Sequence, residues 1–305
     1  MAAISSRSGD AEWAPHTVVS EEYLDPAPVA ALAALLDDGL PAPRVGDVLP
    51  PLWHWVALPR WSPSSLLAVD GHPFKGSFLP PVELPRRMFA GGTAAFPGTL
   101  RVGDTVRREA RVESVTEKHG RSGTLVVVVV GIELYAPDGT LAVTEQQNLI
   151  YREAAAVTGE PPSPESAAAL VPCGPAVVPD GPDRWRLVTD PTLLMRFSAA
   201  TANAHRIHYD WPYATGVEGY PGLVVHGPLM TLALAETHRL GDDDRHIAGL
   251  AHRNLAPLFC AEPAVLQSVP SESGTAVSVV THTDPDAEPR VHTTLDLTFD
   301  TPGAS

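Results

Sequence analysis

The chain repeats one pattern twice, and this internal repetition limits the folds that it can adopt. Each half contains three extended runs in which apolar residues alternate with polar ones or follow one another, with turn residues between the runs. These runs lie at 105–118, 123–135 and 141–151 in the first half and at 264–269, 275–283 and 290–299 in the second. Strands that succeed one another at hairpin spacing pair in antiparallel fashion. The repetition therefore predicts two units of similar architecture.

Helical patterns precede the strands. Residues 228–238 read as an apolar helix with a proline in the first turn, and we expect it to end before Gly241. Near the amino terminus, Ser20 followed by two glutamates favours a capped helix, and the alanine- and leucine-rich run 30–36 favours another. A helix followed by an antiparallel sheet predicts an α+β fold in which each sheet wraps a central helix.

Segments of biased composition divide the chain. Residues 1–16 look like a flexible leader, and 154–182 is rich in Pro, Ala and Ser, as linkers are. We therefore predict a non-catalytic amino-terminal unit over 17–153 and a catalytic carboxy-terminal unit over 183–305. The segment 71–98 has too much Pro and Gly for a regular element and is expected to form a structured loop or lid.

Composition excludes several classes of function. A net charge of −15 with only 21 Lys and Arg in 305 residues argues against nucleic acid and anionic membranes as partners. Cys173 and Cys260 lie far apart and are expected to be reduced thiols. No secretory signal or run of about 20 apolar residues is present, so we expect a cytoplasmic protein. The motifs for hydride transfer, phosphoryl transfer and serine hydrolysis are also missing.

The readable chemistry is concentrated in two clusters of the second half, 203–210 and 226–228. His208 can take and return a proton near neutral pH, and the amide of Asn203 can hold a water or a substrate oxygen. Gly227 stands where the chain enters a helix, so its N–H could bind a developing oxyanion. A base and an oxyanion donor suit proton transfer next to a thioester carbonyl.

The run N-x-H-x-I-H-x-D followed by PGLVVHGP resembles the MaoC-like (R)-specific enoyl-CoA hydratases. HPFKGSFLPPVELPRRMFAGG is similar to the first half of their double hot-dog branch, which includes mesaconyl-C4-CoA and itaconyl-CoA hydratases and type 2 3-hydroxyacyl-thioester dehydratases. Together the two matches cover roughly residues 20–300. The resemblance implies two tandem hot-dog units and the reversible hydration of an acyl thioester. It implies no cofactor beyond the CoA of the substrate, no metal, and a monomeric pseudo-dimer or a homodimer.

The same resemblance assigns roles to residues. It implies that His208 is the catalytic histidine and that Gly227 supplies the oxyanion hole, whereas Asn203 stands where the broader family has aspartate. Arg206 replaces a proline and could bind a substrate carboxylate, which favours a dicarboxylic acyl-CoA. His205, Tyr209 and His226 are expected to line the substrate pocket, and Asp210 to hold the loop by accepting backbone N–H bonds.

Several alternatives stay open from the sequence. His205, His208, His226 and Asp210 could be metal ligands or structural residues. Lys75, Arg86 and Arg87 could bind a phosphate or carboxylate, or could be ordinary surface charges. Besides a hydratase of dicarboxylic acyl-CoA, the chain could be a 3-hydroxyacyl-thioester dehydratase of fatty-acid or polyketide type or a non-catalytic acyl-thioester binding subunit. A thioesterase would want a carboxylate near the helix start, and the helix offers only Glu236, late in its sequence.

Overall fold

A computed structural model describes residues 13–120, 123–154, 173–241, 243–271, 274–282 and 288–300. In these residues eleven antiparallel strands form one continuous sheet, accompanied by five α-helices. The strands are β1 Thr17–Tyr23, β2 Arg86–Ala95, β3 Thr105–Gly120, β4 Gly123–Tyr135, β5 Leu141–Arg152, β6 Val177–Gly181, β7 Arg184–Leu187, β8 Ile247–Asn254, β9 Ala264–Ser271, β10 Gly274–Thr281 and β11 Arg290–Phe299. The helices are α1 Pro26–Leu36, α2 His54–Ala57, α3 Pro191–Ala200, α4 Trp211–Gly216 and α5 Gly227–Leu240.

The strand order of the sheet shows the predicted repetition directly. It runs β1-β3-β4-β5-β2-β8-β11-β10-β9-β7-β6, so β3-β4-β5-β2 is mirrored by β9-β10-β11-β8. The two units meet where β2 pairs with β8, with Gly91 opposite Arg253 and Ala95 opposite Gly249. The six extended runs predicted from the sequence all correspond to strands. The predicted α+β architecture is thus present, with both sheets joined edge to edge.

The central helix of the second unit is α5. Residues Leu229 to Thr237 are all buried, on every side of the helix, because the sheet wraps around it. Leu229, Leu232 and Leu234 are at most 1% exposed, and full burial of such a side chain stabilises the fold by roughly 1.5–3 kcal/mol. The predicted helix at 228–238 is confirmed and ends at Gly241, as expected.

The amino-terminal residues adopt a strand where Ser20 had favoured a helix. Thr17–Tyr23 alternates exposed and partly buried positions and pairs with β3 along its whole length. The helix that follows is α1, capped by Asp25, whose side chain accepts a hydrogen bond from the N–H of Ala27. Pairing with β3 satisfies the backbone of this segment, and the tertiary contact overrides the local capping signal. The run 30–36 lies within α1, as predicted.

The segment 71–98 is also only partly a loop. Its second portion forms β2, which lies at the middle of the sheet between β5 and β8. Gly91 and Gly92 lower the strand propensity of this stretch, yet they stand where neighbouring backbones approach closely, at a β-bulge after Phe89. Residues 71–85 lie before this strand and hold no helix or strand.

The unit boundaries stay predictions. Strand β6 lies inside the range 154–182 that was expected to be a linker, whereas 155–172 and most of the leader fall outside the described residues. Both cysteines are free thiols, as predicted. Among the residues that the structure describes, no helix has the length and apolar character that a membrane crossing requires.

Candidate active site

His208 is buried at the end of the 3₁₀ turn Arg206–His208, where the carbonyl of Val224 fixes its protonation state. The Nδ1 atom lies 2.7 Å from that carbonyl oxygen. Because a carbonyl can only accept, Nδ1 carries the proton and Nε2 retains the lone pair of a base. Burial lowers the pKa of His208 to about 4, although the bond to Val224 raises it. The ring is therefore neutral at physiological pH.

His226 packs flat against His208 and leads into α5. The two imidazole centroids are 3.6 Å apart, with an angle of 18° between the planes. His226 Nε2 lies 2.8 Å from the hydroxyl oxygen of Ser198, and its Nδ1 is buried without a hydrogen-bond partner in the described part of the chain. Burial and the neighbouring histidines keep its pKa well below 6.5. This stack fixes the plane of the His208 ring.

Gly227 opens α5 with the position expected for an oxyanion donor. Its N–H has no acceptor among the described residues, and it lies at the positive end of a 14-residue helix. A Cβ on Gly227 would lie 2.5 Å from Nδ2 of Asn254, so a side chain here would displace that amide. Asn254 in turn donates to the carbonyl of Phe89 and accepts from Thr293. The helix start is thereby joined to strand β2.

Asn203 stabilises the loop that presents His208. Its Oδ1 accepts a hydrogen bond from the backbone N–H of His205 at 3.1 Å, which is an Asx turn. Nothing in the described residues accepts a hydrogen bond from its Nδ2. The carbonyl half of the amide is thus bound to the backbone, and the NH₂ group is the part left to hold a water or a hydroxyl.

Arg206 and Tyr209 are committed to the loop itself. The Arg206 guanidinium donates to Asp210 through Nε at 2.8 Å and Nη2 at 2.7 Å, and through Nη1 to the carbonyl of Val69. Asp210 also accepts from the N–H of Tyr213, as predicted. The Tyr209 hydroxyl donates to the carbonyl of Ala204, and its side chain is exposed. The Arg206 guanidinium is thus engaged within the loop in this structure, and its expected carboxylate-binding role stays a prediction.

A loop of the first unit completes the site, which the sequence did not reveal. The backbone carbonyl of Asp70 accepts from the N–H of Arg206 at 2.9 Å, and the His72 ring lies 4.2 Å from that of His205. Gly71 has a φ of +90°, and a Cβ there would lie 1.8 Å from the carbonyl oxygen of Ala204. The signal that could have indicated this contribution is the Asp-Gly-His triplet at 70–72.

His205 stands between the two histidines supplied by different units. It is buried, with His72 at 4.2 Å on one side and His208 at 5.6 Å on the other, measured between ring centroids. Burial, then the charges of His72, His208 and Arg87, lower the pKa of His205. Burial and then the Arg87 charge lower the pKa of His72 to about 4. The neutral imidazoles of His72, His205 and His208 thus lie next to one another in this order, and we call them the histidine row.

The four residues considered as metal ligands do not gather as one group. Asp210 is bound to Arg206, away from the histidines. In the described chain the residues that could hold an ion are instead Asp70, His72 and His205, whose ligand atoms lie within 4.8 Å of one another. The positive charge of Arg87 acts on all three of them, which opposes the binding of a cation.

Comparisons with known proteins agree with this architecture. The family model for hydroxyacyl-thioester dehydratase type 2 matches residues 52–260. The mesaconyl-C4-CoA hydratase of Chloroflexus aurantiacus is 44% identical over 260 residues, which cover 85% of this chain and 88% of that protein.

Solved structures agree in fold. HtdX of Mycobacterium tuberculosis superposes with a TM-score of 0.60 at 19% identity, covering 93% of this chain and 100% of that one. A second protein of that organism, described as a double hot-dog fold, gives a TM-score of 0.52 at 15% identity and covers 94% of this chain and 95% of its own. The predicted double hot-dog fold is confirmed.

The family match spans more than half of the chain, and the identity to a hydratase extends over most of it. These findings confirm an enzyme and set aside a non-catalytic binding subunit. The chain belongs to the hydroxyacyl-thioester dehydratase type 2 family, with a double hot-dog fold, and catalyses hydration or dehydration of acyl thioesters.

Proposed function

We propose that this protein reversibly hydrates a dicarboxylic enoyl-CoA of the mesaconyl-C4-CoA type, with His208 as the catalytic base. The observation that carries the proposal is the hydrogen bond from His208 Nδ1 to Val224, which leaves a basic Nε2 buried beside the start of α5. The 44% identity to a mesaconyl-C4-CoA hydratase supports the substrate class.

The proposed reaction needs one base and one oxyanion donor. His208 Nε2 takes a proton from water, and the resulting hydroxide forms a C–O bond at the β-carbon. The π electrons move toward the thioester, and the enolate oxygen accepts a hydrogen bond from the N–H of Gly227. The imidazolium then returns its proton to the α-carbon, so that no net proton is consumed. A pKa of about 4 makes protonated His208 a better proton donor than an ordinary imidazolium, and the neutral ring a correspondingly weaker base.

Asn203 has a positioning role in this scheme. Its Nδ2 would donate to the attacking water while its Oδ1 keeps the bond to the His205 N–H. An aspartate could accept from the same N–H, so Asn203→Asp should fold normally and keep measurable activity. Complete loss of turnover in a folded Asn203→Asp variant would contradict this role.

Replacement of His208 tests the proposal. His208→Gln should reduce kcat/KM for mesaconyl-C4-CoA by about 10²–10⁴, the usual contribution of a positioned base. His119→Gln is the matched control, because His119 is an exposed histidine on β3 with a side chain 72% accessible. Loss of the conjugated thioester absorbance measures the rate, and the melting temperature reports folding. Undiminished turnover in His208→Gln would remove His208 from the mechanism.

A second candidate is dehydration of a straight-chain 3-hydroxyacyl thioester; the family's description supports it only in naming a hydroxyacyl-thioester dehydratase. A panel of mesaconyl-C4-CoA, itaconyl-CoA and crotonyl-CoA separates the two, since the second candidate predicts the highest kcat/KM for crotonyl-CoA. The same panel on carrier-protein thioesters identifies the carrier. Thioester hydrolysis would release free CoA thiol and would need a carboxylate near the start of α5. Glu236 is too far from that start, because nine residues of helix place it about 13 Å from Gly227.

The proposed chemistry requires no cofactor other than the CoA of the substrate, and we further propose that one chain forms a complete catalytic unit. His72 and His208 come from different halves of the same chain, so a partner subunit is not needed to bring them together. Sedimentation of the active enzyme would show whether a monomer or a homodimer carries the activity.

A further inference from the structure

A cavity of about 460 Å³ lies between the loop 70–85 and the start of β2, next to the histidine row. Its volume is within the range of small-molecule pockets. Five titratable side chains line it: Asp70, His72, Lys75, Glu83 and Arg87. Asp70 and His72 are bound to each other, because the Asp70 carboxylate accepts a hydrogen bond from His72 Nδ1 at 3.0 Å.

Arg87 has no carboxylate partner among the described residues, unlike its neighbour in sequence. Arg86 donates to the buried Glu218 at 2.6 Å. Arg87 forms no such ion pair, and its charge lowers the pKa of Asp70 after the His72 hydrogen bonds and that of His72 after burial. A guanidinium is always charged and presents paired donors that match a carboxylate. No carboxylate of the described residues thus neutralises Arg87, whose recorded side-chain partner is the Tyr151 hydroxyl, and its guanidinium can bind an anion.

Tyr151 supplies a second unpaired donor at the same place. It stands directly opposite Arg87 in the pairing of β2 with β5, so both side chains lie on one face of the sheet. Tyr151 is 0% exposed; the neighbouring Arg87 guanidinium acts on its hydroxyl as a charge and a hydrogen-bond donor, and its own O–H proton has no acceptor in the described part of the chain. A buried O–H group without an acceptor costs about 1–3 kcal/mol, so a ligand that accepts a hydrogen bond from it would be favoured.

Lys75 adds positive charge at the rim of this site. Its Nζ lies 5.2 Å above the Tyr151 ring and donates to the carbonyls of Val82 and Leu84 at 2.8 and 2.7 Å. Glu83 is exposed and lies in water. Two cationic groups, Lys75 and Arg87, thus line the cavity, and Tyr151 lies next to both of them. The partly buried carboxylate of Asp70 is bound to His72.

The site lies beside the reacting groups. His72, in the cavity wall, contacts His205, which faces His208. On the other side, Phe89 follows Arg87 by two residues on β2, and its carbonyl is bound by Asn254, against which Gly227 packs. An acyl chain with its thioester carbonyl at Gly227 would therefore extend toward Arg87.

We propose that Arg87 and the Tyr151 hydroxyl bind the free carboxylate of a dicarboxylic acyl thioester, with Lys75 supplying additional positive charge. This inference rests on the proposed function and deepens it, since it names the residues that would distinguish a dicarboxylic substrate from a straight-chain one. The CoA phosphates are a second source of anionic groups, and the experiment separates them from the acyl carboxylate.

Arg87→Met tests this specificity role, because methionine removes the charge and keeps an unbranched side chain. The variant should lose about 100-fold in kcat/KM for mesaconyl-C4-CoA and change less than about threefold for crotonyl-CoA, which has the same CoA but no carboxylate. Arg107→Met is the control; Arg107 belongs to β3, which β4 and β5 separate from β2, and its guanidinium lies over the ring of Tyr135. Arg107→Met should leave both rates unchanged.

Tyr151→Phe gives a second readout that a purely structural role would not produce. Removal of an unpaired hydroxyl should leave the melting temperature unchanged or higher, while KM for mesaconyl-C4-CoA rises about fivefold and KM for crotonyl-CoA does not. Equal losses for both substrates in Arg87→Met would assign Arg87 to the CoA phosphates and overturn the proposal.

Unchanged rates in Arg87→Met would also overturn it. Failure of the proposed function looks different, because the unmodified enzyme itself would then not hydrate mesaconyl-C4-CoA.

Discussion

Acidification from pH 7.5 to 5.5 should leave kcat/KM for the proposed hydration nearly unchanged. The proposed base, His208, has a pKa of about 4, lowered from 6.5 by burial and by the nearby His72. About 97% of His208 is then neutral at pH 5.5, whereas an unperturbed histidine would be only about 9% neutral. The structure therefore predicts a rate about tenfold higher at pH 5.5 than a solvated histidine would give. The acid limb of the profile should fall near pH 4.

The same burial makes the fold sensitive to acid, and this effect must be separated from the rate. When the pKa of a histidine is lower in the folded state than in the unfolded one, the folded protein loses stability as the pH falls below 6.5. At pH 5.5 each such histidine with a folded pKa of about 4 costs about 1.4 kcal/mol. His72, His208 and His252 together cost about 4 kcal/mol by this reasoning, and the lowered pKa values of His205, His226 and His292 increase this loss.

Glu236 opposes this loss, because its pKa is raised by burial to about 7 and the folded state takes up its proton first. Its protonation adds about 2 kcal/mol between pH 7.5 and 5.5. The net loss is therefore larger than about 2 kcal/mol and is comparable with the stability of an ordinary domain, so the fraction folded at pH 5.5 has to be measured together with the rate.

Initial rates at low substrate concentration, read from the thioester absorbance, give kcat/KM across pH 4–8. Urea unfolding at each pH gives the fraction folded, and a return to pH 7.5 checks that activity is recovered. A tenfold fall in kcat/KM at pH 5.5, in enzyme that urea unfolding shows to be folded, would refute the lowered pKa of His208 or its role as base. A plateau down to pH 5 followed by a single acid limb supports both.

Three other predictions concern stability. Gly71→Ala should lower the free energy of unfolding by more than about 3 kcal/mol in urea titrations, because the new Cβ meets a backbone carbonyl oxygen at 1.8 Å; Gly139→Ala, with a similar φ and open space around it, should cost about 1 kcal/mol. Glu236→Gln should abolish a loss of about 2.5 kcal/mol in unfolding free energy as the pH rises from 5 to 8, since a raised carboxyl pKa destabilises the ionised folded state; an unchanged slope would contradict this. Ser198→Ala should cost about 1–3 kcal/mol, because it leaves both ring nitrogens of the buried His226 without a partner; a neutral effect would show that water replaces the hydroxyl.

Local sequence patterns predicted the helices and strands whose signals lie within the element itself. The strand that contains the five-valine run is marked by its apolar residues, and helix α5 by its apolar residues and its first-turn proline. The sequence predicted both within a few residues of their observed bounds. The segments 17–23 and 86–95 were misread, because their strand state depends on pairing with distant strands. Polar residues in one and glycines in the other obscured that state.

The site divides in the same way. The Asn203 and His208 spacing and the His226–Gly227 entry into α5 are local, and the sequence alone identified them together with the family. The ion pair between Arg206 and Asp210 could not be predicted from the sequence, although the two residues are only four positions apart. It depends on the 3₁₀ turn that brings the two side chains together.

The sequence by itself determined the repeated α+β units and the family, and it predicted a histidine base beside a helix start. Only the tertiary structure brought His72 against His205 and placed Arg87 opposite Tyr151, next to these histidines. The physical reason for the first contact is the antiparallel pairing of β2 with β8, which joins two sheets into one and places the loop before β2 over the histidines of the second unit. The second contact follows from the pairing of β2 with β5. Contacts between residues so far apart in the chain are fixed by strand pairing and by packing, and they leave no periodic signal in the sequence.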